Sequence, residues 1–232
     1  MEGDAVRGGA SGVAGAPVLT GRSASRLPGL TRASQLERAT AFGEGEQSCE
    51  PAPDLRGSII SGSPTVEIVG NGRLTAAAMQ VAAFQAAGGA AVWVSGREDT
   101  FFPPDLAANG VDLTALPVVM VRERRECVEA VDTLMRSRFF SLIVADWREE
   151  WLLEGAIQAR FVRLGRRHGV TLLFLTEAQK NSSVALLPLR LLASRQRRGI
   201  GSYVLTLEVV RDKLGVRIPR HEEPARGPDG LR

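Results

Sequence analysis

The stretch VEIVGNGRLTAAAMQ, residues Val66–Gln80, sets the pattern that the rest of the chain repeats. A β-branched apolar run leads into two glycines, Gly70 and Gly72, and an alanine-rich segment follows. This order predicts a strand, a tight turn and a helix. The stretch is therefore expected to be the first unit of an α/β domain.

Further apolar runs alternate with segments of helical periodicity as far as Thr176. Because these runs are continuous rather than alternating, they are typical of strands buried on both faces of a sheet. We therefore predict a mainly parallel sheet flanked by helices and joined by right-handed crossovers. The predicted strands are 65–69, 90–95, 116–121, 141–146 and 170–176, and the predicted helices are 75–87, 103–110, 127–138 and 149–169.

The sequence after this alternation predicts an antiparallel edge. Residues 202–219, SYVLTLEVVRDKLGVRIP, alternate in polarity and favour a hairpin whose turn contains Asp212 and Gly215. The folded core is expected to span residues 55–218. Residues 1–54 predict a flexible N-terminal region that can form one short helix at Ser34–Ala39, and residues 219–232 predict a disordered tail.

Composition excludes several classes of protein. The chain has 232 residues, is 44% hydrophobic and carries a formal net charge of +3, which is small for a nucleic-acid-binding protein of this length. Cys49, Cys127, His168 and His221 are scattered without zinc or disulfide spacing, so no metal site and no catalytic thiol are expected. The absence of an apolar run of about eighteen residues predicts no membrane span. With no signal-peptide segment, we expect a cytoplasmic protein.

The turn after the first strand is a shortened form of a phosphate-binding loop. That loop reads G-x-x-x-x-G-K-[ST], and its backbone N–H groups hold phosphates. Only two residues separate Gly70 from Arg73 here, and Thr75 does not directly follow the basic residue. An arginine supplies charge without the compact ammonium group of lysine. Two interpretations remain: a plain strand-to-helix connection, which the sequence favours, and a weak anion site at the helix N-terminus. No cofactor is expected.

Residues 55–218 resemble the ATPase core of the RecA recombinases. The first stretch with this resemblance, VEIVGNGRLT, falls where that family has its phosphate loop. It is followed in order by FQAAGGAAVWVSGRED, NGVDLTALPVVMV, ECVEAVDTLMRSRFFSLIVAD and LEVVRDKLGVRIP. The resemblance implies a RecA-like core whose nucleotide-binding positions here are Gly70, Gly72, Arg73, Thr75 and Asp146, with Asp146 ending the Walker B strand.

The same resemblance implies that the catalytic machinery is lost. Ser95 and Arg97 occupy the positions of the family's acidic residue and its catalytic carboxylate, and a cation cannot accept a proton from water. Thr176 and Glu177 replace an Asn-Gln pair that senses the nucleotide. Asp146 remains as either a magnesium ligand or a locally hydrogen-bonded carboxylate. We therefore expect a pseudo-ATPase with no catalytic residues.

Basic residues near the C-terminus are the candidates for contacts with partners or DNA. The family's first DNA loop is missing or very short after Asp146, and residues 177–201 replace the second. Arg211 and Lys213 match a basic pair that, in the family, reaches a neighbour's nucleotide. A solvent-exposed surface is the alternative for all of them, and also for a stripe at Arg160, Arg163 and Arg167. The candidates are Arg190, Arg195, Arg197, Arg198, Arg211 and Lys213.

A RecA-like core without ATP chemistry is similar to the ImuA-type accessory proteins of bacterial damage-induced mutagenesis, also described as SulA- or RecA-like. This resemblance implies three partners: RecA, an inactive Y-family polymerase subunit and an error-prone replicative polymerase. Two other functions stay open. One is a divergent ATPase that uses Arg73, Thr75 and Asp146, and the other is a DNA-binding regulator that uses residues 190–198.

Overall fold

The computed structural model describes residues 30–32, 60, 63–97, 100–148, 151–177, 184, 186–199, 201–213, 215 and 220–226. The expected short helix at Ser34–Ala39 lies outside these residues. The strands are β1 Leu30–Arg32, β2 Thr65–Val69, β3 Ala91–Ser95, β4 Val118–Met120, β5 Leu142–Asp146, β6 Thr171–Thr176, β7 Leu189–Gly199, β8 Ser202–Asp212 and β9 Arg220–Arg226. The α-helices are α1 Arg73–Ala86, α2 Pro103–Ala108, α3 Arg124–Ser137 and α4 Gly155–His168.

All the described strands belong to one sheet, in the order β1-β4-β3-β5-β6-β2-β7-β8-β9. In this spatial order, all neighbouring strands from β1 across to β7 pair in parallel. The last two pairs, β7 with β8 and β8 with β9, are antiparallel. The predicted α/β architecture, with a mainly parallel sheet and an antiparallel C-terminal edge, is confirmed. The first core strand, β2, lies inside the sheet between β6 and β7.

Two apolar layers cover the faces of the sheet and explain the continuous apolar runs. Alternate residues of each strand point to opposite layers, as Trp93 and Val94 do in β3. The first layer packs against α1, where Phe84 is buried. The second packs against α3 and α4, where the rings of Phe161 and Phe174 lie 6.2 Å apart. Strands β2, β3 and β5 are consequently buried at every position.

The end of α1 and the start of α4 each have a local cause. Helix α1 ends before Gly88, whose φ of 82° is the left-handed conformation expected of a glycine cap. The helix predicted over 149–169 begins only at Gly155. The segment before it is held instead by a tryptophan pair, in which Trp147 Nε1 donates to the Trp151 carbonyl at 2.6 Å. The two rings meet edge to face at 5.3 Å.

Two strands of the antiparallel edge differ from the sequence prediction. Residues 189–199, for which no strand was predicted, form β7, which pairs with β8 through a turn at Gly201. The prediction of a disordered tail was wrong for Arg220–Arg226, which form β9 and pair along β8. The reason is that β9 is held by backbone pairing and by one buried side chain, Ala225. Its charged residues and Pro224 are typical of an exposed edge strand.

Among the described residues, no helix combines the length and the apolar character needed to cross a bilayer.

A chain that ends at Pro219 should be less stable than one that ends at Arg226. Removing β9 exposes the edge of β8 and deletes seven cross-strand pairs, each of which contributes about 0.2–1 kcal/mol. Urea unfolding of both chains should show a loss of a few kcal/mol only for the shorter one. Equal midpoints would mean that Arg220–Arg226 contribute nothing to the fold.

Candidate functional site at the carboxyl edge of the sheet

Four sequence positions that are far apart in the chain meet at one edge of the sheet. Because β2, β3, β5 and β6 run parallel, their carboxyl ends share that edge. Ser95 pairs in register with Asp146, and Val69 pairs with Thr176. The glycine turn, Arg97, Asp146 and Glu177 therefore lie together, at the edge where ligands usually bind in open α/β sheets.

An ion cluster occupies this edge. Glu177 Oε1 lies 2.5 Å from Arg73 Nη2 and 2.7 Å from Arg97 Nη1. The side chains of Arg73 and Arg97 are only 12% and 22% exposed. We call Arg73, Arg97, Asp146 and Glu177 the carboxyl-edge ion cluster. Within it, the cation that replaces the expected catalytic acid is paired with the acid that replaces the expected sensor.

Asp146 is the deepest member of the cluster, with 1% of its surface exposed. Burial is the largest influence and raises the pKa of Asp146 above its ordinary value, with help from the charge of Glu177. The Thr100 hydroxyl, which donates to Oδ2, and the charges of Arg73 and Arg97 act in the opposite direction. Oδ1 is buried and accepts no hydrogen bond from any described residue. The surroundings therefore disfavour a free carboxylate.

The glycine turn is docked onto β7. Gly72 N–H donates to the Ala193 carbonyl at 3.0 Å, and Arg73 N–H donates to the Gly70 carbonyl at 3.3 Å. The Asn71 side chain accepts from the backbone N–H of Arg195 at 2.9 Å. The N–H groups of Gly72 and Arg73 that could face an anion are thus already used inside the protein.

Close packing explains why both turn positions are glycines. Gly70 has a φ of 100°, and a Cβ there would lie 2.3 Å from the Ala193 carbonyl oxygen. A Cβ at Gly72 would lie 2.8 Å from Leu205 Cδ1. Both contacts are with the antiparallel strands β7 and β8. The glycines therefore permit the turn to approach those strands, which is the geometry of a short connection rather than of a phosphate cradle.

A pocket of about 130 Å³ lies beside the first two turns of α1. Pockets that enclose a drug-sized ligand are about 300–1,000 Å³, whereas an apolar cavity of about 150 Å³ is filled by one benzene molecule. The pocket is therefore the size of a single ring. It is lined by Asn71, Leu74, Thr75, Ala78, Trp93, Thr100, Phe102, Asp105, Leu106 and Arg195.

A second buried carboxylate, Glu67, was not singled out by the sequence analysis. It is fully buried in β2 and accepts from the Thr176 hydroxyl at 2.9 Å. Its Oε2 lies 3.3 Å from Arg190 Nε and 3.6 Å from Arg211 Nη2. The one signal in the sequence that could have revealed this role is the position of Glu67, a charged residue inside the apolar run VEIV. A charge that is buried in this way requires partners.

This network removes two of the six predicted contact candidates. Arg190 is 7% exposed, so its guanidinium is not available to a DNA backbone. Arg211 is directed at Glu67 rather than outward. The predicted surface roles of these two residues are therefore corrected to structural ones.

The other four candidates are exposed. Arg195 lies over the Tyr203 ring at 4.7 Å and reaches the hydroxyl of Thr75 at 3.4 Å. Arg197, Arg198 and Lys213 are accessible on β7 and just after β8. These four remain predictions as partner or DNA contacts.

Within the described part of the chain, no group of three His, Cys, Asp or Glu side chains is placed to hold a metal ion. No protein-family model matches the chain, and no curated protein matches it.

Asp146→Asn is expected to stabilise the protein in a pH-dependent way. Since the folded state raises the pKa of this carboxyl, its contribution to stability is present at low pH and is lost as the pH rises through the folded value. The free energy of unfolding of the variant should exceed that of the parent at pH 8. The difference in the free energy of unfolding should shrink towards pH 3.5, where the carboxyl of the folded parent is protonated and as neutral as the amide of the variant.

Urea unfolding across this pH range measures the effect. Glu129→Gln, which removes an exposed carboxylate paired with Arg125, serves as the control and should change stability by no more than about 0.5 kcal/mol. A variant at Asp146 that loses stability as the pH rises would show that Arg73 and Arg97 outweigh burial.

Proposed function

We propose that this chain is a non-catalytic accessory protein with a RecA-like core, of the ImuA type, that acts in the cytoplasm during the bacterial DNA-damage response. It works by docking onto RecA and onto error-prone polymerase partners rather than by hydrolysing ATP. The observation that carries the proposal is the carboxyl-edge ion cluster, in which Glu177 already forms ion pairs with the two arginines nearest to a phosphate position.

The arrangement of the strand ends supports the RecA-like part of the proposal. The resemblance aligns the glycine turn, Arg97, Asp146 and Glu177 with a phosphate loop, a catalytic acid, a Walker B acid and a sensor. Their convergence at one edge is the arrangement that such a core requires.

The chemistry at that edge supports the non-catalytic part. Binding a triphosphate requires free N–H donors and an unpaired cation, but Gly72 N–H and Arg73 are engaged internally. Arg97 is a permanent cation with no lone pair that can take a proton from water. An incoming phosphate would have to displace Glu177, and the neighbouring pocket has the volume of one ring.

The identity of the partners rests on the resemblance, and the structure suggests where they dock. Val210 is 55% exposed near the end of β8, and Lys213 follows it on the surface. An exposed apolar residue beside a cation is a suitable start for a protein contact. Arg211, the other member of the predicted basic pair, is bound to Glu67. The proposed contact therefore uses Val210 and Lys213.

A titration with a fluorescent ATP analogue at millimolar magnesium should show no saturable binding to this chain. The reason is that Glu177 holds both Arg73 and Arg97, so neither of these two cations is unpaired. RecA titrated under the same conditions provides the positive control. Saturable binding that disappears in Arg73→Ala would support the divergent ATPase instead.

Reversing the charge at Lys213 should weaken association with RecA by about tenfold, in line with the loss of one favourable interfacial contact. Val210→Asp should have a similar effect, because it places a charge in the apolar centre of the contact. A pull-down with purified RecA measures both. Arg125→Glu, at an 84% exposed position on another surface, is the matched control. Unchanged binding in both variants, with unchanged melting temperatures, would remove the end of β8 as the docking site.

A further inference from the structure

The last turns of α3 and α4 form a basic surface at the opposite, amino edge of the sheet. The two helices lead into the adjacent strands β5 and β6, so their C-termini lie side by side there. They are tied together by Arg160 on α4, which reaches Asp132 on α3 at 2.8 Å. We call the following residues the amino-edge basic surface: Arg136, Arg138, Phe139, Arg163, Arg166, Arg167 and His168.

Positive charge is in excess on this surface. In residues 132–138 and 160–168 the sole carboxylate is Asp132, and it is already shared by Arg136 and Arg160. Arg138, Arg163, Arg166 and Arg167 are exposed and pair with no acidic side chain among the described residues. Four guanidinium groups are therefore free to bind an external anion.

The cations are also close to one another. Burial first, and then the charges of Arg138, Arg167 and Arg136, hold the pKa of the His168 imidazole below its ordinary value. Charges from both helices thus reach one ring at the end of α4. A field of this kind, concentrated at one end of two packed helices, attracts a polyanion.

An exposed aromatic ring distinguishes this surface from an ordinary helix end. Phe139 is 62% exposed and rests edge to face on Phe140, with ring centroids 5.0 Å apart. Phe140 is partly buried against the second apolar layer and so fixes the position of its neighbour. Cations near a helix C-terminus are stabilised by the helix dipole, but that effect does not explain an exposed phenylalanine among them.

The backbone at this point is also unusual. Arg138 caps α3 with a φ of 58°, the left-handed conformation that favours glycine, whereas the equivalent cap of α4 is Gly169. A side chain in this conformation costs about 1–2 kcal/mol. The protein thus keeps an arginine at a position where a glycine would be more stable.

We propose that the amino-edge basic surface binds single-stranded nucleic acid. The exposed guanidiniums contact successive phosphates, to which arginine is suited by its planar set of donors. Phe139 stacks on a base, as aromatic residues do in proteins that bind single strands without sequence preference. An acidic protein would also satisfy the cations, and the polyglutamate comparison below separates it from nucleic acid. The surface lies at the edge opposite the ion cluster, so both edges can be engaged at once.

Fluorescence anisotropy of a labelled oligothymidylate of about 20 nucleotides, with the full chain at 50 mM salt, tests the proposal. Four phosphate contacts predict that the logarithm of the binding constant falls with the logarithm of salt concentration with a slope of about −3. Phe139→Ala should weaken binding about 5- to 150-fold, the usual effect of losing one stacked base. Arg167→Ala should reduce the slope by about 0.7.

The variant Arg138→Gly tests the contribution of this arginine to binding without destabilising the fold. Glycine accepts the left-handed cap, so this variant should be at least as stable as the parent and should still bind the oligonucleotide about 3- to 10-fold more weakly through the loss of one charge. Arg125→Ala removes an exposed arginine elsewhere and should leave the affinity within about twofold, whereas Arg197→Ala tests the predicted contact on β7.

Three results would overturn the proposal. One is no binding at 50 mM salt. Another is binding that Arg197→Ala abolishes and Phe139→Ala does not change, which would place the nucleic acid on β7. The third is polyglutamate binding as tight as that of the oligonucleotide and equally insensitive to Phe139→Ala, which would assign the surface to an acidic protein. None of these results depends on whether RecA binds at the end of β8.

Discussion

The carboxylate of Glu177 between Arg73 and Arg97 is the contact on which the carboxyl edge depends. Two arginines that are 12% and 22% exposed would repel each other without an anion between them. A nucleotide-binding core receives that anion from outside, as a phosphate. Here the anion is part of the chain and ties the start of α1 to the ends of β3 and β6. Because the cluster is partly open to solvent, its net stabilisation is smaller than the ~3–5 kcal/mol that breaking a buried ion pair costs.

Glu67 plays the corresponding role inside the sheet. Its fully buried carboxylate is shared by Arg190 of β7, Arg211 of β8 and the hydroxyl of Thr176. The parallel core and the antiparallel edge are therefore joined by charge as well as by backbone pairing. Such a group is tolerated in the interior only with all its partners present. This is the physical reason why two arginines that look like surface contacts in the sequence belong to the core.

The sequence predicts the parts of the fold that depend on neighbouring residues. Apolar runs located β2 to β6, and the helix predicted over 75–87 corresponds to α1. Strands β7 and β9 escaped prediction because the second half of β7, SRQRRG, and the whole of β9, RHEEPAR, carry no apolar pattern and are held in the sheet by backbone pairing. The ion cluster was out of reach for a different reason. Arg73 and Glu177 are 104 positions apart, and no local pattern reveals that this cation and this acid form an ion pair.

The two edges of the sheet differ in whether their arginines have a carboxylate partner. At the carboxyl edge, Arg73 and Arg97 share the carboxylate of Glu177 within hydrogen-bonding distance, so both cations already have a partner inside the chain. At the amino edge, Arg138, Arg163, Arg166 and Arg167 pair with no acidic side chain among the described residues, and the negative ends of two helix dipoles favour cations there. A cation held in this way keeps its hydrogen-bonding capacity for an external partner. The arginines of the carboxyl edge are therefore held by a carboxylate of the chain itself, whereas the C-termini of α3 and α4 present arginines that pair with no described acidic side chain.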